Sequence, residues 1–380
     1  MKKLIALLLV LAMVACMFAG CGSSNTTEEA ATEEAATEEA AAEEAATEET
    51  TEEAAEEAAE ETEEPVVNAR VQEIENTLME QIGEMPEFNG GENLGALVIS
   101  LTNPYWVGMM EAYEDAAELY GVNIEVMSAP TEGDKQSQLE TLEGMALQGY
   151  DAIVLSPIEP FNLLPGIVSC NENEVPVINL GPGINVEGLE EMGGHLDGRL
   201  TVDFAMQGEM AAQDIVDRIG TGKVAIIQGI SGAAQSEGRT EGALSVFEAT
   251  EGIEVVSVQP ADWDSTMAYN VAADLIQAHP DLQAIFCCND VMALAASQAL
   301  IDNDAKDGVL LYGVDGTEEA KVAIAEGRMD GSITYPSSAY AKAAVVMLLK
   351  LAQGMDMSET VYCPLDCINT DNVAEFEGYK

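Results

Sequence analysis

Short apolar runs recur about every 25 to 30 residues, with helical stretches between them, and this rhythm constrains the chain more than any other feature. "ALVIS" (96–100), "VNIEVM" (122–127), "AIVLS" (152–156) and "VPVINL" (175–180) form one set. "KVAIIQG" (223–229), "IEVVSV" (253–258), "QAIFCC" (283–288) and "VLLYGV" (309–314) form a second. Continuous apolar runs of this length suit strands buried on both faces. Between the first two, Trp106, Met109, Met110, Tyr113, Ala116, Ala117 and Tyr120 share one helical stripe that stops at Gly121. Strands alternating with helices make βαβ units, whose crossovers keep the strands parallel. Four strands on each side of residue 200 predict an α/β protein of two similar doubly wound parallel-sheet lobes. Ligands bind such sheets beyond the carboxyl ends of the strands, and two lobes turn both sets of ends toward one cleft.

What precedes this rhythm is of another kind. Lys2 and Lys3 are followed by fifteen apolar residues, Leu4 to Phe18. That run is short of the roughly 20 residues a membrane span needs and fits the apolar part of a secretory signal. The stretch Phe18-Ala19-Gly20-Cys21 resembles the lipobox of bacterial lipoprotein signal peptides, which implies removal of residues 1–20 and lipidation of Cys21. Phe18 stands where leucine is usual, Cys16 is a weaker second candidate, and an ordinary secretory signal is the alternative. Two acyl chains suffice for stable anchoring where one is marginal.

From Glu28 to Glu64 run nine Glu-Glu pairs with no Lys or Arg. Such a segment cannot bury a core, and its five-residue beat stacks like charges at i,i+4 without matching a helical period. Residues 21–65 are therefore expected to form a disordered acidic tether, reaching at most ~145 Å when fully stretched. Residues 66–91 are expected to hold an amphipathic helix and a linker, with Val67, Val71, Ile74, Leu78 and Ile82 on one face.

Charge excludes whole classes of partner. The formal charge of −55 falls to −37 when the tether's 18 glutamates are set aside, and to −39 once Lys2 and Lys3 leave with the signal. A body this acidic repels nucleic acid and anionic lipid. No second long apolar run follows, so membrane contact is expected through the anchor only. Of seven cysteines, Cys170, Cys287, Cys288, Cys363 and Cys367 lie in the body. They are expected to be buried or idle thiols, with a local Cys363–Cys367 bridge left open, and their spacing lacks the C-x2-C of a metal site. No metal and no cofactor are expected.

The strand ends carry the chemistry. The first leads into Asn103-Pro104-Tyr105-Trp106, "IEVVSV" into Asp262-Trp263-Asp264, "QAIFCC" into Asn289-Asp290 and "VLLYGV" into Asp315-Gly316-Thr317. "KVAIIQG" runs into a segment that contains Arg239. Both tryptophans of the chain fall at such ends. Flat aromatic rings can cover the C–H faces of a polyhydroxylated ring while amide, carboxylate and guanidinium groups bond its hydroxyls. The plainer reading places Trp106 in the core and makes Asp315 a helix cap.

"TNPYWVGM", "QPADWD", "AHPDLQAIFCCNDVMALAA" and "YGVDGT", in this order and spacing, resemble the ribose-binding-protein branch of the type I periplasmic solute-binding proteins from Gly95 to about Asn369. The resemblance implies two lobes joined by three hinge crossings, near Val202-Asp203, Tyr335-Pro336 and Leu365 to Asn369. It divides the body into a first lobe of residues 92–202 and 336–366 and a second of 203–335 and 367–380. It implies ligand contacts from Asn103, Tyr105 and Trp106 on the first lobe and from Arg239, Trp263, Asn289 and Asp315 on the second, with Tyr335 where glutamine is common. It further implies a monomer outside the cytoplasm that hands a monosaccharide or polyol to an ABC transporter permease. One departure stands out. Ribose binders carry an Asp-Arg pair after the fourth strand, and this chain has Gly181-Pro182. The departure argues against ribose and leaves another pentose or hexose, an inositol-like polyol or a furanosyl signal molecule open.

Competing classes find less. An enzyme would need a motif such as H-E-x-x-H, G-x-S-x-G or a phosphate loop, and none is present. A regulator of the lactose-repressor kind would begin with a basic helix-turn-helix instead of this acidic start. A binding protein that feeds a chemoreceptor or sensor kinase would carry the same ligand site.

Overall fold

In the computed structural model, which describes residues 68–380 apart from positions 86 and 89, the apolar runs are strands and the stripes between them are helices. The signal segment, Cys21, Val67 and the glutamate repeats lie outside the described residues. All described elements belong to one unit, Thr62–Lys380. After α1 (Ala69–Ile82), the chain alternates through β1 (Asn93–Ser100), α2 (Pro104–Tyr120), β2 (Asn123–Ala129), α3 (Lys135–Met145), β3 (Ala152–Leu155), α4 (Leu164–Glu172), β4 (Val177–Leu180), α5 (Val186–Glu191) and β5 (Gly198–Thr201). It then repeats the cycle through α6 (Phe204–Ile219), β6 (Gly222–Gln228), α7 (Ala234–Ala249), β7 (Ile253–Pro260), α8 (Ser265–Ala278), β8 (Leu282–Cys287), α9 (Asp290–Asp302), β9 (Leu310–Val314), α10 (Glu318–Ala325) and β10 (Gly331–Thr334). Three elements close the fold: α11 (Ser337–Ala352), β11 (Met357–Tyr362) and β12 (Asp366–Asn369).

The strands form two six-stranded sheets, ordered β11-β5-β4-β3-β1-β2 and β12-β10-β9-β8-β6-β7. Every pairing is parallel except β12 against β10. Read from the edge, β2-β1-β3-β4-β5 and β7-β6-β8-β9-β10 are the same doubly wound order, with its switch point beside the strand that leads each half. The fold is thus α/β, with two parallel sheets flanked by helices. Within β1, Leu94 to Ser100 are all buried. Ala96 and Val98 pack into one core cluster while Leu97, between them, packs into another on the opposite face. Helices cover both faces, which is why these strands read as unbroken apolar runs.

Each sheet holds two more strands than its four apolar runs suggest. β5 and β10 read "GRLT" and "GSIT", and β11 and β12 read "MSETVY" and "DCIN". They are short and mixed in polarity, so no hydrophobic run marks them. They also border the three places where the chain passes between sheets, at 202–203, 335–336 and 363–365. β11 joins the first sheet beside β5, while Asp366 in β12 pairs with Thr334 in the second.

Helix α1 starts where the Asn68 side chain accepts from the Arg70 N–H, and it buries Val71, Ile74, Leu78 and Ile82. Lys350 donates to the Ile82 carbonyl at 2.5 Å, and Lys342 pairs with Glu75. Gln81 bonds both the N–H and the carbonyl of Tyr362 on edge strand β11. Arg70 reaches Asp366 and Glu375. Among the described residues, no helix is long and apolar enough to cross a membrane.

Candidate ligand-binding site

Asn103, Tyr105, Trp106, Arg239, Trp263, Asn289, Asp315 and Tyr335 all line one pocket. The topology explains the convergence. Asn103 and Trp263 lie just beyond β1 and β7, Asn289 and Asp315 beyond β8 and β9, and Tyr335 follows β10 at a crossing between sheets. Arg239 comes from the helix after β6.

Local chemistry fixes each side chain. Asn103 caps α2 by accepting from the Tyr105 N–H, with Pro104 opening the helix. Asn289 caps α9 through the Met292 N–H. Each amide is thereby held in one orientation at a helix start. The Tyr105 and Tyr335 hydroxyls share a hydrogen bond of 2.5 Å, tying α2 to the second crossing. Tyr105 stands edge-on to Trp106 at 4.8 Å between ring centroids. Trp106 is only 6% exposed, so it serves the core and the pocket wall together.

The second lobe's polar group is built around Arg239. Its Nε donates to Gln207 at 2.8 Å, and one terminal nitrogen donates to the Cys288 carbonyl at 2.6 Å. The other faces Asp315 at 3.5 Å, and both side chains are nearly buried. The guanidinium also lies 5.7 Å from the Phe204 ring centroid. Helices α6 and α7 approach this closely because Gly208 and Gly242 lack side chains; a Cβ on either would sit 1.9 Å from a backbone oxygen of the other helix. Burial pushes the Asp315 carboxyl above the usual range, and Arg239 pulls it back. Behind it, Asp290 accepts from Ser332 and from the Thr317 N–H. Burial and the Asp315 charge raise Asp290 further still.

Trp263 is held differently. Asp262 and Trp263 have φ of 52° and 64°, in the left-handed region. The ring fills the space beside Gly229, where a Cβ would lie 2.0 Å from it.

Gly181 and Pro182 also line the pocket. The Gly181 carbonyl accepts from Thr201 and the Pro182 carbonyl from Asn179, so this corner presents no charged side chain. Three further residues complete the wall: Glu132, Phe204 and Gln235. Glu132 follows β2, Phe204 opens α6 and Gln235 lies in the first turn of α7, so the strand-end rule that found the others applies to them. One more glutamate in a chain with 69 acidic residues carried no signal of its own. The Oε1 atoms of Glu132 and Gln235 are buried without a hydrogen-bond partner among the described residues. Burial raises the Glu132 carboxyl to about 7, against a neighbouring Asn103 side chain that lowers it.

Cys363 and Cys367 are free thiols, as are buried Cys170, Cys287 and Cys288. Among the described residues, no group of three His, Cys, Asp or Glu side chains is arranged to hold a metal ion.

Two doubly wound sheets, three crossings and a pocket at their strand ends define a two-lobed ligand-binding protein. Residues 94–356 match the periplasmic binding protein domain family. The chain belongs to that family, in its ribose-binding-protein-like type I branch, whose members are binding proteins and not enzymes. It is 35% identical to the D-allose-binding periplasmic protein of Escherichia coli over 62% of this chain and 76% of that one. It is 30% identical to a ribose import binding protein of Bacillus subtilis over 72% and 85%. Among solved structures, an ABC transporter periplasmic solute-binding protein of Actinobacillus succinogenes with bound D-allose superposes with a TM-score of 0.72. That match is 25% identical and covers 74% of this chain and 99% of the other.

Proposed function

We propose that this protein captures a monosaccharide or related polyol between its lobes and delivers it to an ABC transporter. The observation that carries the reading is the make-up of the pocket that gathers all eight of the expected side chains. Tyr105, Trp106 and Trp263 supply aromatic surface, and Asn103, Arg239, Asn289 and Asp315 supply oriented polar groups around it. That mixture of aromatic surface and a few convergent polar groups is the composition of a small-molecule site. Kinship with the D-allose and ribose binders supports the ligand class. Gly181-Pro182 favours a hexose or cyclitol over ribose, since that corner grips no hydroxyl with charge and leaves room for extra atoms. The lobes comprise residues 92–202 with 336–362 and residues 203–335 with 366–380, the third crossing lying at 363–365 and not, as the resemblance implied, at 365–369. The protein works outside the cytoplasm as a monomer, held to the membrane by lipid on Cys21 and spaced from it by the glutamate repeats.

A thermal-shift screen against pentoses, hexoses and cyclitols tests the reading, because a ligand that binds only the folded state raises its stability. At least one hexose or cyclitol is expected to raise Tm, with Asp315→Ala abolishing the shift. A flat response across the panel, or a shift that survives Asp315→Ala, contradicts it.

A further inference from the structure

The ligand pocket has more acceptors than its own donors satisfy. Its charged lining residues are Glu132, Asp315 and Arg239. Arg239 is engaged on three sides within the second lobe, by Gln207, the Cys288 carbonyl and Asp315. It therefore balances Asp315 and leaves Glu132, across the cleft, without a counter-charge. Lys135, the nearest cation in sequence, is committed to Glu159 at 2.5 Å. The two lining atoms that are buried with no partner, Glu132 Oε1 and Gln235 Oε1, are both acceptors, one from each lobe.

A buried carboxylate must be protonated or matched by a cation. A neutral sugar hydroxyl brings one donor and no charge. An ammonium brings three donors and the missing positive charge. Resting on the sugar or polyol reading above, we propose that Glu132 is a specificity-determining residue and that the ligand presents a protonated amine to it. The class is an amino-substituted hexose or cyclitol. Burial and the nearby Asp315 charge, which hold the Glu132 carboxyl up at about 7, are what an incoming cation would relieve. Gly181-Pro182 itself adds no positive charge, and the Arg199 guanidinium beside Gly183 does not line the pocket.

Calorimetry of the purified protein at pH 7 tests this with matched pairs: D-glucose and D-glucosamine, D-galactose and D-galactosamine, D-allose and D-allosamine, and myo-inositol with its amino-deoxy derivatives. In at least one pair the amine is expected to bind about tenfold or more tighter than its parent. Glu132→Gln, which keeps size and removes charge, should bring that ratio close to one. Gln235→Glu, which adds a third carboxylate to the lining and a second without a counter-charge, should raise it. Parents that bind as tightly as their amines overturn the inference, as does an amine preference that survives Glu132→Gln. Both results leave the sugar-binding reading standing. Failure of every parent and every amine to bind removes that reading, and the inference with it.

Discussion

At the scale of single residues, the site is held under local strain and unmet charge. Left-handed backbone at Asp262 and Trp263 costs on the order of 1–3 kcal/mol per residue and persists where surrounding structure over-determines it. Here the space beside Gly229 takes the Trp263 ring. Glu132 adds a second cost that depends on pH. Its ordinary value of 4.5 rises to about 7 in the folded protein. Between those values the folded state binds more protons than the unfolded state, so stability present at low pH is lost as pH rises through that window. Glu132→Gln should therefore stabilise the unliganded protein by on the order of 2 kcal/mol at pH 8 and leave it nearly unchanged at pH 4.5. Urea unfolding at the two pH values checks this, and equal effects at both would contradict it. Legibility at this scale followed residue type. Trp263 and Trp106 stood out because the chain has two tryptophans, whereas Glu132, one of 69 acidic residues, did not.

At the scale of elements, α1 clamps the third crossing. Its apolar face buries Val71, Ile74, Leu78 and Ile82, and Gln81 covers the open edge of β11 through both polar groups of Tyr362. Asn68 donates to the Glu375 and Glu377 carbonyls, so the helix also holds the segment after β12. Leu78 is fully buried, and Leu78→Ala should cost about 2–5 kcal/mol of the whole protein's stability. A single cooperative urea transition at lower midpoint is the expected result. A separate early transition, with the main one unmoved, would mean that α1 is an appendage. The helix was legible because its apolar steps of three and four are unmistakable. β1, β3, β4, β6, β8 and β9 were legible because two-sided burial writes continuous apolar runs. β5, β10, β11 and β12 were not, since four to six residues of mixed polarity at the hinge leave no such trace.

At the scale of the whole molecule, two sheets of the same strand order face one pocket, and three short passages of chain connect them. Such an arrangement can bend at the passages while each sheet stays rigid, as hinged receptors do around a ligand. Contacts that span the pocket gain their partners only when the lobes are together. The Tyr105–Tyr335 hydrogen bond lies at the second passage, and Trp106 and Trp263 reach the pocket from opposite lobes. Small-angle X-ray scattering with and without saturating ligand, chosen as the strongest binder in the sugar and polyol panel, measures this motion directly. The radius of gyration is predicted to fall on ligand addition, with tryptophan fluorescence changing over the same concentration range. An unchanged radius and spectrum at saturation would contradict a two-lobed receptor that closes on its ligand.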